Sequence, residues 1–312
     1  MHGDVLHLSK INDSADFVLE KVSVPLQYSS SWDLHVLMGP HSAPDFFKQE
    51  FISSSFFTSD FSVHYNSNRL GIRLSGPKPE FTRLDGGEAG LHPSNIHDTV
   101  YAIGTINFTG DLPVILGLDG PSLGGFVCPV TIIKADLWKI GQLRPGDTLR
   151  FVLTDYESAL AQEKQLDSWI AGKQYRDTPY QPEFPPSPLP ETVSAIVRSF
   201  QVDGLTVVYR QAGDHNILIE YGELVLDLKL RCRVHALMSY LDRNPITGII
   251  ELSPGVRSLQ VQFDSRKITS FQSLLDLLEA AEKELVKVES VPNKTLVFVF
   301  KRFILAVLPS KK

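Results

Sequence analysis

Cysteine is nearly absent from this chain: its 312 residues hold two, Cys128 and Cys232. They stand far apart with no partner at metal-ligand spacing. That excludes a disulfide framework and a cysteine-based zinc site, and it fits a reducing, cytoplasmic setting. His92 and His97 have no further ligand nearby in sequence, so no metal site is expected. There is no G-x-x-x-x-G-K-[ST], no G-x-G-x-x-G and no H-E-x-x-H, which removes P-loop ATP binding, dinucleotide binding and zincin chemistry. The residues after Met1 lack a signal-peptide profile. The one long apolar run, Leu296 to Leu308, is broken by Lys301 and Arg302 and is too short to span a bilayer. Asn107-Phe-Thr and Asn293-Lys-Thr match the glycosylation pattern, but without a secretory signal both read as chance. Basic excess is also missing. With 30 Lys and Arg against 36 Asp and Glu, the net charge is -6, which argues against a nucleic-acid partner.

What is present is ordinary globular material, 43% hydrophobic and 21% charged, long enough for two domains. Residues 1–155 read as β-rich. Strands are predicted at Trp32–Met38, Leu70–Leu74, Thr99–Ile103, Pro113–Leu118, Phe126–Ile133 and Thr148–Leu153, divided by turn residues. A short helix over Pro40–Phe47, capped by Ser42, is expected to interrupt them. Tyr156–Ala171 has helical spacing at Leu160, Leu166, Trp169 and Ile170. Six prolines between Pro179 and Pro190 then mark a linker, since proline lacks an N–H for ladder or helix bonds. Helix and linker together occupy 156–203. From 204 to 290 the pattern is mixed. Strands are predicted at Leu205–Arg210, Asn216–Tyr221, Gly248–Leu252 and Ser258–Phe263. A helix over Leu224–Leu241 is expected to bury Leu228, Cys232, His235 and Met238. A second, from Thr269, carries a stripe of Phe271, Leu274, Leu275, Leu278, Ala281 and Leu285. This order approaches a ferredoxin-like βαββαβ unit that lacks its last strand. The fold class is mainly β with α+β.

The most unusual stretch runs from His64 to Gly110. Its polar, Gly- and Pro-punctuated loops offer a cation at Lys78 and amides at Asn66, Asn68 and Asn95. They also offer backbone N–H groups at Gly86 and Gly87. Such a set suits an anion or a carbonyl gaining negative charge; it also suits plain turn chemistry. Gly120-Pro-Ser-Leu-Gly124 matches the nucleophile-elbow pattern. A strand rather than a helix is predicted after it, so a glycine turn with Ser122 lining a site is the better reading. Arg210 either pairs with Asp214 or holds a ligand, and Arg257 faces either a pocket or solvent.

Longer strings carry a resemblance. His64-Tyr-Asn-Ser-Asn-Arg-Leu-Gly-Ile-Arg-Leu, Gly76-Pro-Lys-Pro, Asp85-Gly-Gly-Glu, Leu91-His-Pro-Ser-Asn and Asn107-Phe-Thr-Gly-Asp closely resemble the carboxyltransferase region of urea carboxylases. So do Asp119-Gly-Pro-Ser-Leu-Gly-Gly-Phe-Val-Cys and Arg144-Pro-Gly-Asp-Thr. Beyond the linker, Val208-Tyr-Arg-Gln-Ala-Gly-Asp, Glu220-Tyr-Gly and Gly255-Val-Arg-Ser resemble the start of that region's second half. The two halves are similar to allophanate hydrolase subunits 2 and 1 and to accessory subunits of 5-oxoprolinase. The resemblance implies a partial cyclophilin-like β-barrel followed by the α/β lobe. It implies biotin as cofactor, arriving as carboxybiotin on a separate carrier domain, and partners in the carrier and biotin carboxylase domains of a full enzyme. The three methionines precede His2, Gly39 and Ser239, so no Met-Lys attachment pair exists and biotin is not carried here. Urea or a related amide is the implied acceptor, and Lys78 matches the family's lysine. Asn66, Asn68, Gly86, Gly87, His92, Asn95, Ser122, Arg210 and Arg257 are the candidates to line the site. The family has a segment before the first half, and residues 291–312 depart from its pattern. A truncated piece is therefore expected, with barrels cut open at unpaired edges and little activity alone. A 5-oxoprolinase-type amide hydrolase subunit and a non-catalytic binding remnant are the alternatives.

Overall fold

The computed structural model describes residues 26–83, 90–171, 180, 194–268 and 270–285. The first body is a barrel built from β1 (Ser31–Met38), β2 (Phe61–Val63), β3 (Gly71–Ser75), β5 (Thr105–Thr109), β6 (Leu112–Leu116), β8 (Val130–Ile132) and β9 (Thr148–Leu153). The strands close in the order β1-β8-β5-β6-β3-β2-β9. Closure depends on a parallel pairing of β1 with β9, from Ser31 opposite Thr148 to Val36 opposite Leu153. The expected open edge is therefore not there: the described residues complete the barrel, and a closed sheet has no unpaired strand. A ribbon of β4 (Asn95–Val100) and β7 (Leu123–Phe126) lies beside it.

Alternation sets the two faces of the barrel wall. On β1, Trp32, Leu34 and Val36 point inward, while Leu37 packs outside with Ile133, Ala135 and Ala159. Phenylalanine fills the interior. Phe47, Phe51, Phe56, Phe61, Phe108 and Phe151 are all buried, and Phe56 stacks on Phe151 with centroids 5.0 Å apart. Phe51 closes α1 (Gln49–Phe51), which runs into a π-helical turn at Ile52–Phe56. The predicted helix over Pro40–Phe47 is instead a set of turns. Phe46 N–H bonds to Ser42 O at 3.0 Å, and the helix begins only after Lys48.

A short α2 (Leu137–Ile140) and then α3 (Tyr156–Ala171) lead out of the barrel. The range of α3 is the predicted one, but its buried side carries Ala159, Gln162, Glu163 and Trp169, and Ile170 is exposed. This face sits between two bodies: Ala159 packs on the barrel wall, Tyr156 stacks on Phe271 of the lobe, and Glu163 bonds to both.

The second body is an antiparallel sheet in the order β10-β11-β12-β14-β13. Its strands are β10 (Ile196–Val202), β11 (Leu205–Gln211), β12 (Asn216–Tyr221), β13 (Ile249–Pro254) and β14 (Ser258–Phe263), with helices α4 (Leu228–Arg243) and α5 (Phe271–Glu284). The stretch β12-α4-β13-β14-α5 has ferredoxin-like neighbours, and β11 occupies the place beside β12 that a final strand would take. Strand β10 falls within 156–203, where helix and linker were expected. The helices cover one face through Tyr209, Ile219, Tyr221, Val234, Leu237, Leu259, Val261, Leu274 and Leu278.

Helix α4 buries Leu230, Arg233, Val234, Leu237 and Leu241. Of the expected face, Met238 packs partly buried against the core, whereas Leu228, Cys232 and His235 are a correction. The stripe two positions further on carries three leucines and a valine, and Arg233 enters the interior because it finds Glu282. That pair is 2.7 Å apart and Tyr221 OH also donates to Glu282, as a buried charge requires.

Candidate active site

The β2–β3 hairpin separates the two loops that sequence reading grouped together. Asn66, Asn68 and Leu70 lie at its tip, and Gly76-Pro77-Lys78 leaves the far end of β3. That strand has five residues, about 16 Å at the usual rise. At the tip, Asn66 is exposed and donates its backbone N–H to His64 Nδ1 at 3.1 Å. Asn68 Oδ1 accepts from Leu70 N–H at 2.9 Å and Gly71 N–H at 3.3 Å. This is an Asx turn. The Gly117–Gly120 turn packs on the same tip, where Arg69 pairs with Asp119 at 2.6 Å.

At the opposite end, the chain after β3 is pinned to the core. A Cβ on Gly76 would stand 2.2 Å from the Phe61 ring, so only glycine permits this approach. Lys48 N–H to Glu80 O at 2.9 Å and Thr82 N–H to Phe46 O at 3.0 Å hold the next residues. Lys78 projects between these anchors. Its side chain is 80% exposed, and its Nζ lies 3.5 Å from Asp111 Oδ2. His92 approaches the same carboxylate, with Nε2 3.2 Å from Oδ1. The ring is oriented from behind: Nδ1 accepts from Ser94 N–H at 3.2 Å and lies 3.0 Å from Ser94 Oγ. A backbone N–H can only donate, so Nδ1 is the acceptor and Nε2–H faces Asp111. Ser94 Oγ also accepts from Gly110 N–H at 3.1 Å. Gly110 takes φ +66 to turn the chain between β5 and β6, which presents Asp111.

The structure thus joins Lys78 to His92 through Asp111, a residue that sequence reading quoted only within Asn107-Phe-Thr-Gly-Asp. The signal was the Gly-Asp turn itself. Serine, histidine and aspartate here form a hydrogen-bonded chain in the order of a nucleophilic triad, but Ser94 is fully buried and its oxygen is already engaged.

Asn95 lies beside His92, and the other candidates lie elsewhere. Asn95 opens β4, its N–H bonded to His92 O at 2.8 Å. Ser122 is exposed, its carbonyl accepting from Tyr101 N–H, and a strand rather than a helix follows it. Gly86 and Gly87 lie outside the described residues.

Arg210 and Arg257 meet between the two bodies. Arg210 Nε donates to Glu220 Oε2 and Arg257 Nη2 to Glu220 Oε1, each at 2.7 Å. Arg210 crosses to the barrel, reaching Asp45 at 3.0 Å and Pro40 O at 3.3 Å. The expected Arg210–Asp214 pair is a correction. Asp214 accepts instead from Lys134 N–H at 2.9 Å, because β11 runs its arginine out on the barrel-facing side next to Glu220. Arg257 is buried rather than solvent-facing. Beneath them, burial and then the Arg210, Arg257 and Arg83 guanidiniums push His41 well below its ordinary pKa.

A second latch runs through α3. Glu163 receives Lys134 Nζ at 2.7 Å from the barrel, and His215 at 3.1 Å and Ser265 at 2.7 Å from the lobe. Burial opposes ionisation of Glu163, but the hydrogen bonds from His215, Lys134 and Ser265 outweigh it and hold the carboxyl below its usual range. Burial opposes protonation of His215, and the Glu163 bond overcomes it and raises the imidazole. Among the described residues, no group of three or more His, Cys, Asp or Glu is placed to hold a metal ion, and no helix is long and apolar enough to cross a membrane.

The family model for the carboxyltransferase domain, subdomains A and B, matches residues 1–153, and that for subdomains C and D matches residues 207–299. The second match runs into the stretch from 291 that sequence reading set apart. The chain is 43% identical over 292 residues to the urea amidolyase of Saccharomyces cerevisiae, covering 91% of this chain and 16% of that protein. Among solved structures, the Kluyveromyces lactis urea amidolyase is 46% identical with a TM-score of 0.77, over 84% of this chain and 16% of that one. The urea carboxylase of the same yeast is also 46% identical, with a TM-score of 0.76, over 84% of this chain and 23% of the other. The chain therefore spans less than a quarter of the length of these relatives.

Proposed function

The chain belongs to the carboxyltransferase-domain family, with its A and B subdomain sequence followed by its C and D sequence, and from that premise we propose that it is part of a urea carboxylase. In this reading it transfers a carboxyl group from carboxybiotin to a urea nitrogen, giving allophanate, and works within a longer enzyme whose biotin carboxylase and carrier domains are its partners. One observation carries the proposal: the barrel and the lobe together follow the Kluyveromyces urea amidolyase over 84% of this chain at 46% identity. The division at 156–203 is read as the joint between the two halves.

The donor set fits such a ligand. Lys78 is an exposed ammonium with three N–H donors, facing one carboxylate at 3.5 Å, so donors remain for an incoming oxygen. Carboxybiotin supplies the carboxyl group when bound. Lys78 would hold the carboxylate or the ureido oxygen as negative charge grows there, and charge stabilisation of this type is usually the largest catalytic contribution. His92 stands beside it with its tautomer fixed by Ser94. The remaining candidates, Asn66, Asn68, Gly86, Gly87, Asn95, Ser122, Arg210 and Arg257, stay proposals as binding groups. The fixed positions of the barrel and lobe supply orientation. The Ser94–His92–Asp111 chain would favour an amide hydrolase of the 5-oxoprolinase type, but a buried serine already serving as acceptor offers no nucleophile to a substrate.

The test is a chimera in which this chain replaces the matched segment of the Saccharomyces urea amidolyase. Urea-dependent turnover above that of a segment-deleted host is expected. A folded, biotinylated chimera without it would contradict the proposal.

A further inference from the structure

We propose that Asp111 is a positioning residue for Lys78, holding the ammonium at the barrel rim until an anionic, carboxylate-bearing ligand takes it over. This rests on the role given to Lys78 above. Three observations lead to it. Asp111 divides its oxygens, Oδ2 toward Lys78 at 3.5 Å and Oδ1 toward His92 at 3.2 Å. The carboxylate is itself fixed, because Gly110 sets the turn with φ +66 while its N–H is tied to Ser94 Oγ, the atom that also sits on His92 Nδ1. Finally, Lys78 is 80% exposed and Asp111 is 42% exposed, so water competes for both and the contact breaks readily.

The chemistry follows from the asymmetry. A free lysine on a four-carbon stem samples many rotamers, and a carboxylate on one side biases them toward the rim. When a ligand carboxylate arrives, Lys78 exchanges one oxygen anion for another. His92 keeps its N–H on Oδ1, so Asp111 is not left without a partner. A neutral donor suits that task, because it satisfies the carboxylate without competing for the ligand's charge. Ser94, buried and engaged on both sides, serves as the anchor for the ring.

A double-mutant cycle in the same chimera tests this, using Lys78→Ala, Asp111→Asn and the pair. Asp111→Asn keeps the shape and still accepts from His92, so the melting temperature should stay put. A fall in kcat of roughly tenfold is expected in the parent background. Little or no further fall is expected in the Lys78→Ala background, and Asp111→Glu should recover much of the loss. Additive losses, or a fall that Asp111→Glu does not relieve, would assign Asp111 to structure alone. Full turnover in Asp111→Asn with a large loss in Lys78→Ala would overturn the positioning role and leave the lysine's role intact. Full turnover in Lys78→Ala would remove both.

Discussion

Two of the shared carboxylates in this molecule, Glu220 and Asp111, differ in where the water is. Between the bodies, Arg210 and Arg257 grip the two oxygens of Glu220, and every group is largely buried. At the barrel rim, Lys78 and His92 share Asp111, with Lys78 mostly in solvent. The buried carboxylate is committed: removing it takes the carboxylate partner from the buried Arg257 and leaves Arg210 only its half-exposed Asp45. The exposed one is provisional, because water supports either partner once they part. Architecture and chemistry thus use the same ion pair at two levels of burial.

Breaking the buried side should have the largest effect. Glu220→Ala is expected to destabilise the chain by about 3–5 kcal/mol, as removal of one partner from a buried pair does, measured by denaturant unfolding. A loss under about 1 kcal/mol would make the two clusters equivalent. Within the lobe, Leu237→Ala should cost about 2–5 kcal/mol, and His235→Ala within about 0.5 kcal/mol. Equal losses would restore the helix face first read from the sequence.

The latch on α3 sharpens the comparison through pH. Glu163 is depressed from 4.5, so its contribution is present above that value and lost as pH falls through its folded pKa. His215 is raised from 6.5, so its contribution is full below that value and lost as pH rises through its folded pKa. Both act together between about pH 4.5 and 6.5. Asp214, raised by burial, and Lys134 also face this site, so the diagnostic is a difference. His215→Gln should remove most of the decline in melting temperature above pH 6.5, and an unchanged decline would dissociate the latch from stability. At the exposed rim, Lys78→Ala should alter stability by no more than about 1 kcal/mol.

Alternation and turn residues made much of the fold legible. Thr148–Leu153, Asn216–Tyr221 and Ser258–Phe263 were predicted to the residue, as was Tyr156–Ala171. What escaped has physical reasons. β2 is three residues long and lies next to a phenylalanine-rich helical turn, too short for a period to register. The run from Phe126 to Ile133 is one apolar string but divides into β7 and β8, since Pro129 cannot donate to a ladder. The parallel closure of β1 on β9 joins residues over a hundred positions apart, which no local pattern reports. For the site, sequence proximity placed Asn68 and Lys78 together, but a hairpin sends its tip and its far end in opposite directions. Asp111 reached Lys78 through a turn 33 positions away, and Arg210 chose Glu220 across a strand pairing over Asp214 nearby in sequence.

The most direct measurement is urea-dependent carboxyl transfer by the chimeric enzyme with and without Lys78→Ala, at matched folding and biotinylation. The account predicts a fall of about a hundredfold with the melting temperature within a few degrees of the parent. Undiminished transfer would contradict it.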